Sequence, residues 1–503
     1  MHYVSLIVEF LRGRPAAVFW AAALSQAALW FLVPALFYSA PPGDVPILLA
    51  VGHHFTLGSY LGPPLAPWLG ELAFRIAGID GVYLLSQACI VLALWAVFML
   101  GRSIVGMRHA VLAVLLMTGI AAYNVPSPNF GAAILALPFW ALALLHYWRA
   151  LGEDKRGAWF LLAFDLGCLL LTTYIGLVLC AVLLLFTLAT GRGRASLRHI
   201  EPWCALVLLA IVIFPHAIWL ARQWPQAVAA LTASAPNASL PPAAWLALVL
   251  LLSHLGAGLL VMLASGWRVR KRERAPEIDR NPVEPLGRRY VYALALAPAA
   301  IALALVAAQR AVGPFDRVGP LIVLTGLAVI VAAGRRIHLY RENMVSTAWV
   351  GLLTLPPLAV ALATWMLPWM SSAELSVGQP ASAMGQFFAD SFQRRTGQPL
   401  QIIGSGDDKL ASLIALSAPS RPDVYFAARP DRSPWTSAAA LRASGGVLVW
   451  RATDTAGTPP PQLKAEFPDM VPELPRAFAR PMQGFLPLMR IGWAVLRPAQ
   501  APR

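Results

Sequence analysis

Residues 41–69 read PPGDVPILLAVGHHFTLGSYLGPPLAPWL, and this stretch gathers groups that can do chemistry inside an otherwise apolar chain. Asp44 is an acid able to take a proton from an attacking hydroxyl. An Asp just ahead of a Pro-led apolar run serves equally as a helix N-cap. His53 and His54 offer neutral imidazoles to a metal ion or protonated ones to a phosphate. Only one acid lies near them, so a divalent cation is left open as a cofactor, and the plain alternative is the polar edge of a membrane-surface helix.

Further along, YNVPSPNFG carries Asn124, Ser127 and Asn129, which can hydrogen-bond a sugar or simply form a Pro-containing turn. LLTTYIG supplies Thr172, Thr173 and Tyr174, and FPHAIWLARQW supplies Pro215, His216 and Arg222. Arg222 suits a phosphate at the membrane surface, or an interfacial anchor. In IIGSGDDKLAS, Gly404 and Gly406 precede Asp407 and Asp408. Two acids would repel phosphate, so a turn and helix cap are expected there rather than an anion site.

These groups need elements to carry them. Of 503 residues, 58% are hydrophobic and 13% charged, with a mean hydropathy of +0.64, which excludes a soluble globular class and indicates a polytopic membrane protein. Eleven apolar windows predict helices across a ~30 Å hydrocarbon core. They are 16–37, 82–100, 110–123, 130–148, 158–172, 175–190, 203–220, 243–266, 290–308, 319–333 and 347–367. With Arg12 and Arg14 held in the cytoplasm, the loops on that side carry twenty-one Lys and Arg, against four (Arg75, Arg222, Arg310, Arg317) on the other. The +15 net charge is therefore a topology signal against anionic lipid, not a nucleic-acid surface. An odd number of spans leaves residues 371–503 outside the cytoplasm.

Between the first two spans, a short helix from Pro46 to about Phe55 and a second from Pro64 are expected at the interface, the latter with Arg75 toward water. The tail alternates MGQFFADSFQRRTG (helix), PLQIIG (strand), KLASLIALSA (helix), DVYFAA, GGVLVWR and RIGWAVLR (strands), which predicts a small α/β domain. All four cysteines lie in or beside apolar spans, so no disulfide framework is expected. No A-x-A-like site follows the first span, which reads as retained rather than as a removed signal peptide.

Four segments in this order resemble the bacterial GT-C membrane glycosyltransferases of the protein mannosyltransferase and aminoarabinose transferase type. They are the opening stretch, then YNVPSPNFGAAILALPFWALALLHYWRAL, LLTTYIGL and FPHAIWL, together covering most of residues 1–220. The resemblance implies that the first external loop is the catalytic mouth, with Asp44 on the acidic position and Pro63, Pro64 and Trp68 on a Pro-Pro-x-x-x-Trp element. It implies transfer of a sugar from a polyprenyl-phosphate donor, usually with inversion, to an extracytoplasmic acceptor. Relatives often have Asp-Glu where this chain has Asp44-Val45, Lys or His where it has Gly62, and Lys where it has Thr173.

The expectation is thus an all-α polytopic membrane protein, GT-C-like with about eleven transmembrane helices, in the bacterial inner membrane. Residues 1–370 would form the membrane domain, with interfacial helices in 38–81, and 371–503 a small extracytoplasmic α/β domain. Asp44 is the candidate catalytic residue; His53, His54, Tyr60, Pro63, Pro64, Asn129, Thr173, Tyr174, His216 and Arg222 are candidate substrate contacts. The partners would be a polyprenyl-phosphate-linked sugar, a lipid, glycan or protein acceptor, and membrane lipid. A noncatalytic envelope-assembly scaffold is one alternative. A transporter is another, for which Asp165 and His254 are the ionisable residues within spans.

Overall fold

The structure, a computed structural model, describes residues 6–125, 128–225, 240–266, 277–316, 318–372 and 374–498. Each of the eleven apolar windows coincides with helix. Six described helices are long and apolar enough to cross a membrane: Pro15–Phe37, Leu65–Val105, Ala132–Leu151, Glu201–Arg222, Pro285–Gln309 and Glu342–Met370. Pro242–Ser253 and Leu255–Ala264 make a bent pair, turned by 43° at the break. Met107–Thr118, Ala158–Leu170, Gly176–Ala189 and Gly319–Ala332 are shorter. A helix of 13 residues rises only about 20 Å, so these four do not reach across a bilayer as continuous helix. The chain is a multi-pass membrane protein.

Leu65–Val105 merges two elements that the sequence separates, an interfacial piece and a span. The join is a kink at Ala77 (φ −140°, ψ 26°) and Gly78 (φ 61°, ψ −151°). Gly78 sits where a Cβ would be strained, so the bend depends on it.

The chain divides into two compact units. The first comprises Met1–Leu32, Tyr60–Leu65 and Leu84–Leu358; the second comprises Val33–Ser59, Ala66–Tyr83 and Ala359–Arg503. The first unit is a helical bundle with one two-stranded antiparallel ribbon, β1 (Glu277–Asp279) against β2 (Arg336–His338).

The second unit holds a five-stranded mixed sheet of β3 (Ile402–Ser405), β4 (Asp423–Phe426), β5 (Gly446–Arg451), β6 (Pro472–Phe478) and β7 (Met489–Leu496), in the order β4-β3-β5-β7-β6. β3 pairs parallel with β4 and β5, while β7 pairs antiparallel with β5 and β6. One face buries Tyr425, Leu441, Leu448, Trp450 and Phe467. On helix Ala381–Thr396, Phe388 is fully buried and meets Phe478 and Trp493 edge-on or tilted at 5.9 and 5.7 Å between ring centres.

Candidate functional site

In the second unit, Val45–Gly52 is a helix with Pro46 in its first turn. It is buried nearly all round, not on one apolar side alone, and packs against helix Asp408–Ser417. Asp44 stands at its N-cap position, and the Asp44 carbonyl accepts from the Leu48 N–H at 2.9 Å. The carboxylate makes no cap bond. It points instead to Lys409, with Nζ 2.9 Å from Oδ1, and both side chains are more than half exposed. The capping role expected from spacing is thus not the one the side chain plays.

At the other end of this helix, Gly52 lies so close to the next element that a Cβ would stand 2.3 Å from the Pro67 carbonyl oxygen. The chain then turns through His53, His54 and Phe55 (φ 49°). His53 Nδ1 lies 3.3 Å from Glu71 Oε1. Glu71 is almost fully buried (1% exposed) and also accepts from Arg75 Nε at 2.8 Å and from an Arg421 terminal nitrogen at 2.9 Å. Arg421 lies over the Phe74 ring and Arg75 over Phe55. His54 Nε2 is 3.2 Å from Asp423 Oδ1, and its ring stacks on Trp435 at 4.7 Å. The Trp68 indole N–H donates to the Thr56 carbonyl at 2.9 Å.

Burial separates the two carboxylates. An exposed ion pair contributes about 0–1 kcal/mol, so Lys409 can leave Asp44 at little cost. A buried carboxylate is tolerable only with its lone pairs met, and breaking such a cluster costs about 3–5 kcal/mol. Glu71 is held by two arginines and a histidine, whereas Asp44 is exposed and loosely paired.

The remaining candidates belong to the first unit. Gly62 (φ 113°), Pro63 and Pro64 are buried, and the Leu65 N–H donates to the Leu171 carbonyl at 2.9 Å, which ties the Pro-Pro element to the LLTTYIG turn. Thr173 Oγ1 accepts from the Ile175 N–H at 3.4 Å. Tyr174 and His216 stack, with the hydroxyl 3.3 Å from Nε2, and His216 also stacks on Trp219. Tyr60 and Asn129 are half-buried, while Arg222 is exposed at the end of helix Glu201–Arg222. Asn124 serves a structural purpose, accepting from the Trp30 indole and donating to the Leu352 carbonyl. Ser127 lies outside the described residues.

So Asp44, His53 and His54 share one unit, while Tyr60, Pro63, Pro64, Asn129, Thr173, Tyr174, His216 and Arg222 share the other. Sequence reasoning missed Glu71, Lys409 and Arg421. Glu71 had a local signal, since it precedes Arg75 by four residues on one helical face. Lys409 and Arg421 had none. Among the described residues, no group of three or more His, Cys, Asp or Glu side chains is placed to hold a metal ion.

Residues 62–219 match the family model of dolichyl-phosphate-mannose-protein mannosyltransferases. Over nearly its whole length the chain has the fold of ArnT from Cupriavidus metallidurans. Against the apo structure the TM-score is 0.51 at 14% identity, covering 96% of this chain and 99% of that one. Against the structure bound to undecaprenyl phosphate it is 0.50 at 14% identity, covering 97% and 99%. Among curated proteins none matches the sequence.

Proposed function

We propose that this chain, a GT-C membrane glycosyltransferase of the protein mannosyltransferase and aminoarabinose transferase-like kind, transfers a sugar from a polyprenyl-phosphate donor to an acceptor outside the cytoplasm. The acceptor would be lipid A, a polysaccharide or a protein. Support comes from the family match over residues 62–219 and from an ArnT fold, one structure of which holds undecaprenyl phosphate. The observation that carries the assignment of roles is the contrast between Asp44, exposed and loosely paired, and Glu71, buried and saturated.

In this reading Asp44 accepts the acceptor's proton as its oxygen attacks the anomeric carbon, and the sugar–phosphate bond breaks to release polyprenyl phosphate. Cationic and hydrogen-bonding groups would stabilise the departing phosphate. Candidates are Tyr60, Asn129, Thr173, Tyr174, His216 and Arg222, with Pro63 and Pro64 shaping the mouth. His53 and His54 remain candidate contacts, although both rings already have carboxylate partners. Residues 1–370 would form the membrane domain and 371–503 an extracytoplasmic domain, with the N-terminus cytoplasmic and the whole in the bacterial inner membrane.

A transporter reading draws little support, because its two ionisable candidates have local partners. Asp165 meets His146, and His254 meets the Leu250 carbonyl at 2.6 Å and the Thr325 hydroxyl at 3.3 Å. The scaffold reading is separated by experiment. Labelled sugar from a membrane lipid extract is followed into envelope fractions with the wild type and Asp44→Asn at matched expression. A drop of about 10²- to 10⁴-fold with the fold intact is expected for loss of a general base. Equal transfer by both proteins would overturn the assignment and favour a scaffold.

A further inference from the structure

The first unit contains a cavity of about 1020 Å³ that no part of the proposed reaction uses. Its wall is drawn from segments far apart in sequence: the N-terminal helix Leu6–Gly13, the turn at Gly106 between Leu65–Val105 and Met107–Thr118, the end of Ala132–Leu151, and the ribbon of β1 and β2 with the residues after β1. These bring six arginines to one concavity: Arg12, Arg102, Arg108, Arg280, Arg335 and Arg336. Against them stand three acids, Glu153, Asp279 and Glu284.

Among the described residues, most of that positive charge is not neutralised. Arg336 pairs with Asp279 at 3.3 Å. Arg108, Arg280 and Arg335 donate to the carbonyls of Arg12, Gly334 and Arg280 at 3.2, 3.1 and 3.1 Å, and Arg12 donates to the Glu277 carbonyl. A carbonyl satisfies an N–H but leaves the charge. Among the described residues the Arg102 guanidinium has no hydrogen-bond or ion-pair partner, and Glu153 is taken by Lys155 at 2.7 Å. Two buried wall residues are also incomplete: among the described residues, neither Trp148 Nε1 nor His109 Nε2 has a hydrogen-bond partner. A buried indole N–H without an acceptor is uncommon.

Retention of positive charge on one side of a membrane explains the sign of these residues. It does not explain their convergence on a cavity, which costs mutual repulsion unless an anion offsets it. Arginine forks match phosphate oxygens in pairs, and the volume is that of a ligand pocket rather than of a single ion. We propose that this cavity binds a ligand bearing one or more phosphate groups, either a lipid headgroup or a soluble phosphate, at a site separate from Asp44 and independent of the transfer reaction.

The full chain in phosphatidylcholine nanodiscs is titrated with inorganic pyrophosphate, and in a second arm phosphatidylglycerol replaces phosphatidylcholine stepwise; tryptophan fluorescence reports occupancy. Saturable binding in the first arm identifies a soluble phosphate ligand, and in the second a lipid headgroup. Arg102→Ala, at an exposed position, should weaken binding by about tenfold or more, the loss of one charge-assisted contact. Arg14→Ala removes a neighbouring exposed charge that does not line the cavity and should change binding less than twofold. The proposal fails if neither arm saturates, or if Arg14→Ala weakens binding as much as Arg102→Ala.

Discussion

Two carboxylates in one stretch of chain have opposite fates because their surroundings differ. Lys409→Ala removes only an exposed pair and should shift unfolding free energy by less than about 1 kcal/mol. Glu71→Gln leaves Arg421 facing a neutral group in a buried cluster and should destabilise by about 3 kcal/mol, the low end because Arg75 is itself half exposed. Denaturant unfolding of the solubilised chain compares them, and near-equal losses would contradict the division of roles. Asp44 was legible because an acid stands out in an apolar stretch. Its partner was not, because no local pattern in DDKLAS points at a residue near the other end of the chain. The departures from the family pattern also acquire physical reasons. Val45 is fully buried, with no room for a hydrated acid. At φ 113°, Gly62 holds a conformation in which Lys or His would be strained.

At the level of elements, helices were readable from apolar windows because burial and lipid ask for the same residues. What the windows concealed was length: the Thr-Thr turn after Leu170 and the break after Thr118 leave helices of 13 and 12 residues. Strand β6, PELPRAF, was missed because its prolines and charges break strand alternation; it lies at the sheet edge, where such residues are tolerated. The packing of Val45–Gly52 yields a sharper expectation. Gly52→Ala would drive a methyl into the Pro67 carbonyl, so it should cost about 1–3 kcal/mol and reduce sugar transfer together with the melting temperature. Unchanged melting would show that the two elements separate easily.

The tail's ion pairs give the second unit an acid-sensitive part. Burial raises the Glu374 carboxyl, but Arg451 at 3.0 Å and Arg480 at 3.2 Å outweigh it and hold the group below its ordinary 4.5. The folded state therefore binds this proton less readily than the unfolded chain. The stabilisation is complete above the ordinary value and is lost as pH falls through the lowered one. Melting temperatures between pH 6 and pH 3 should fall more steeply for the wild type than for Glu374→Gln.

For the whole molecule, the proposed orientation, with the tail outside the cytoplasm, rests on the charge asymmetry of the loops. A single cysteine at Thr453, in a background without the four native ones, should react with an impermeant maleimide in intact spheroplasts. One at Ser103 should react only after permeabilisation. The reverse pattern would invert the orientation.

The clamp on Glu71 is closed by a residue 350 positions later. Synthesis at 5–20 residues per second puts roughly 20 to 70 s between the two. For that interval the nascent chain carries a carboxylate destined for burial with one of its two arginine partners not yet made. Completion of the loop around His53 and Glu71 is thereby coupled to completion of translation, and a product truncated before Arg421 would present that loop unfinished to membrane proteases.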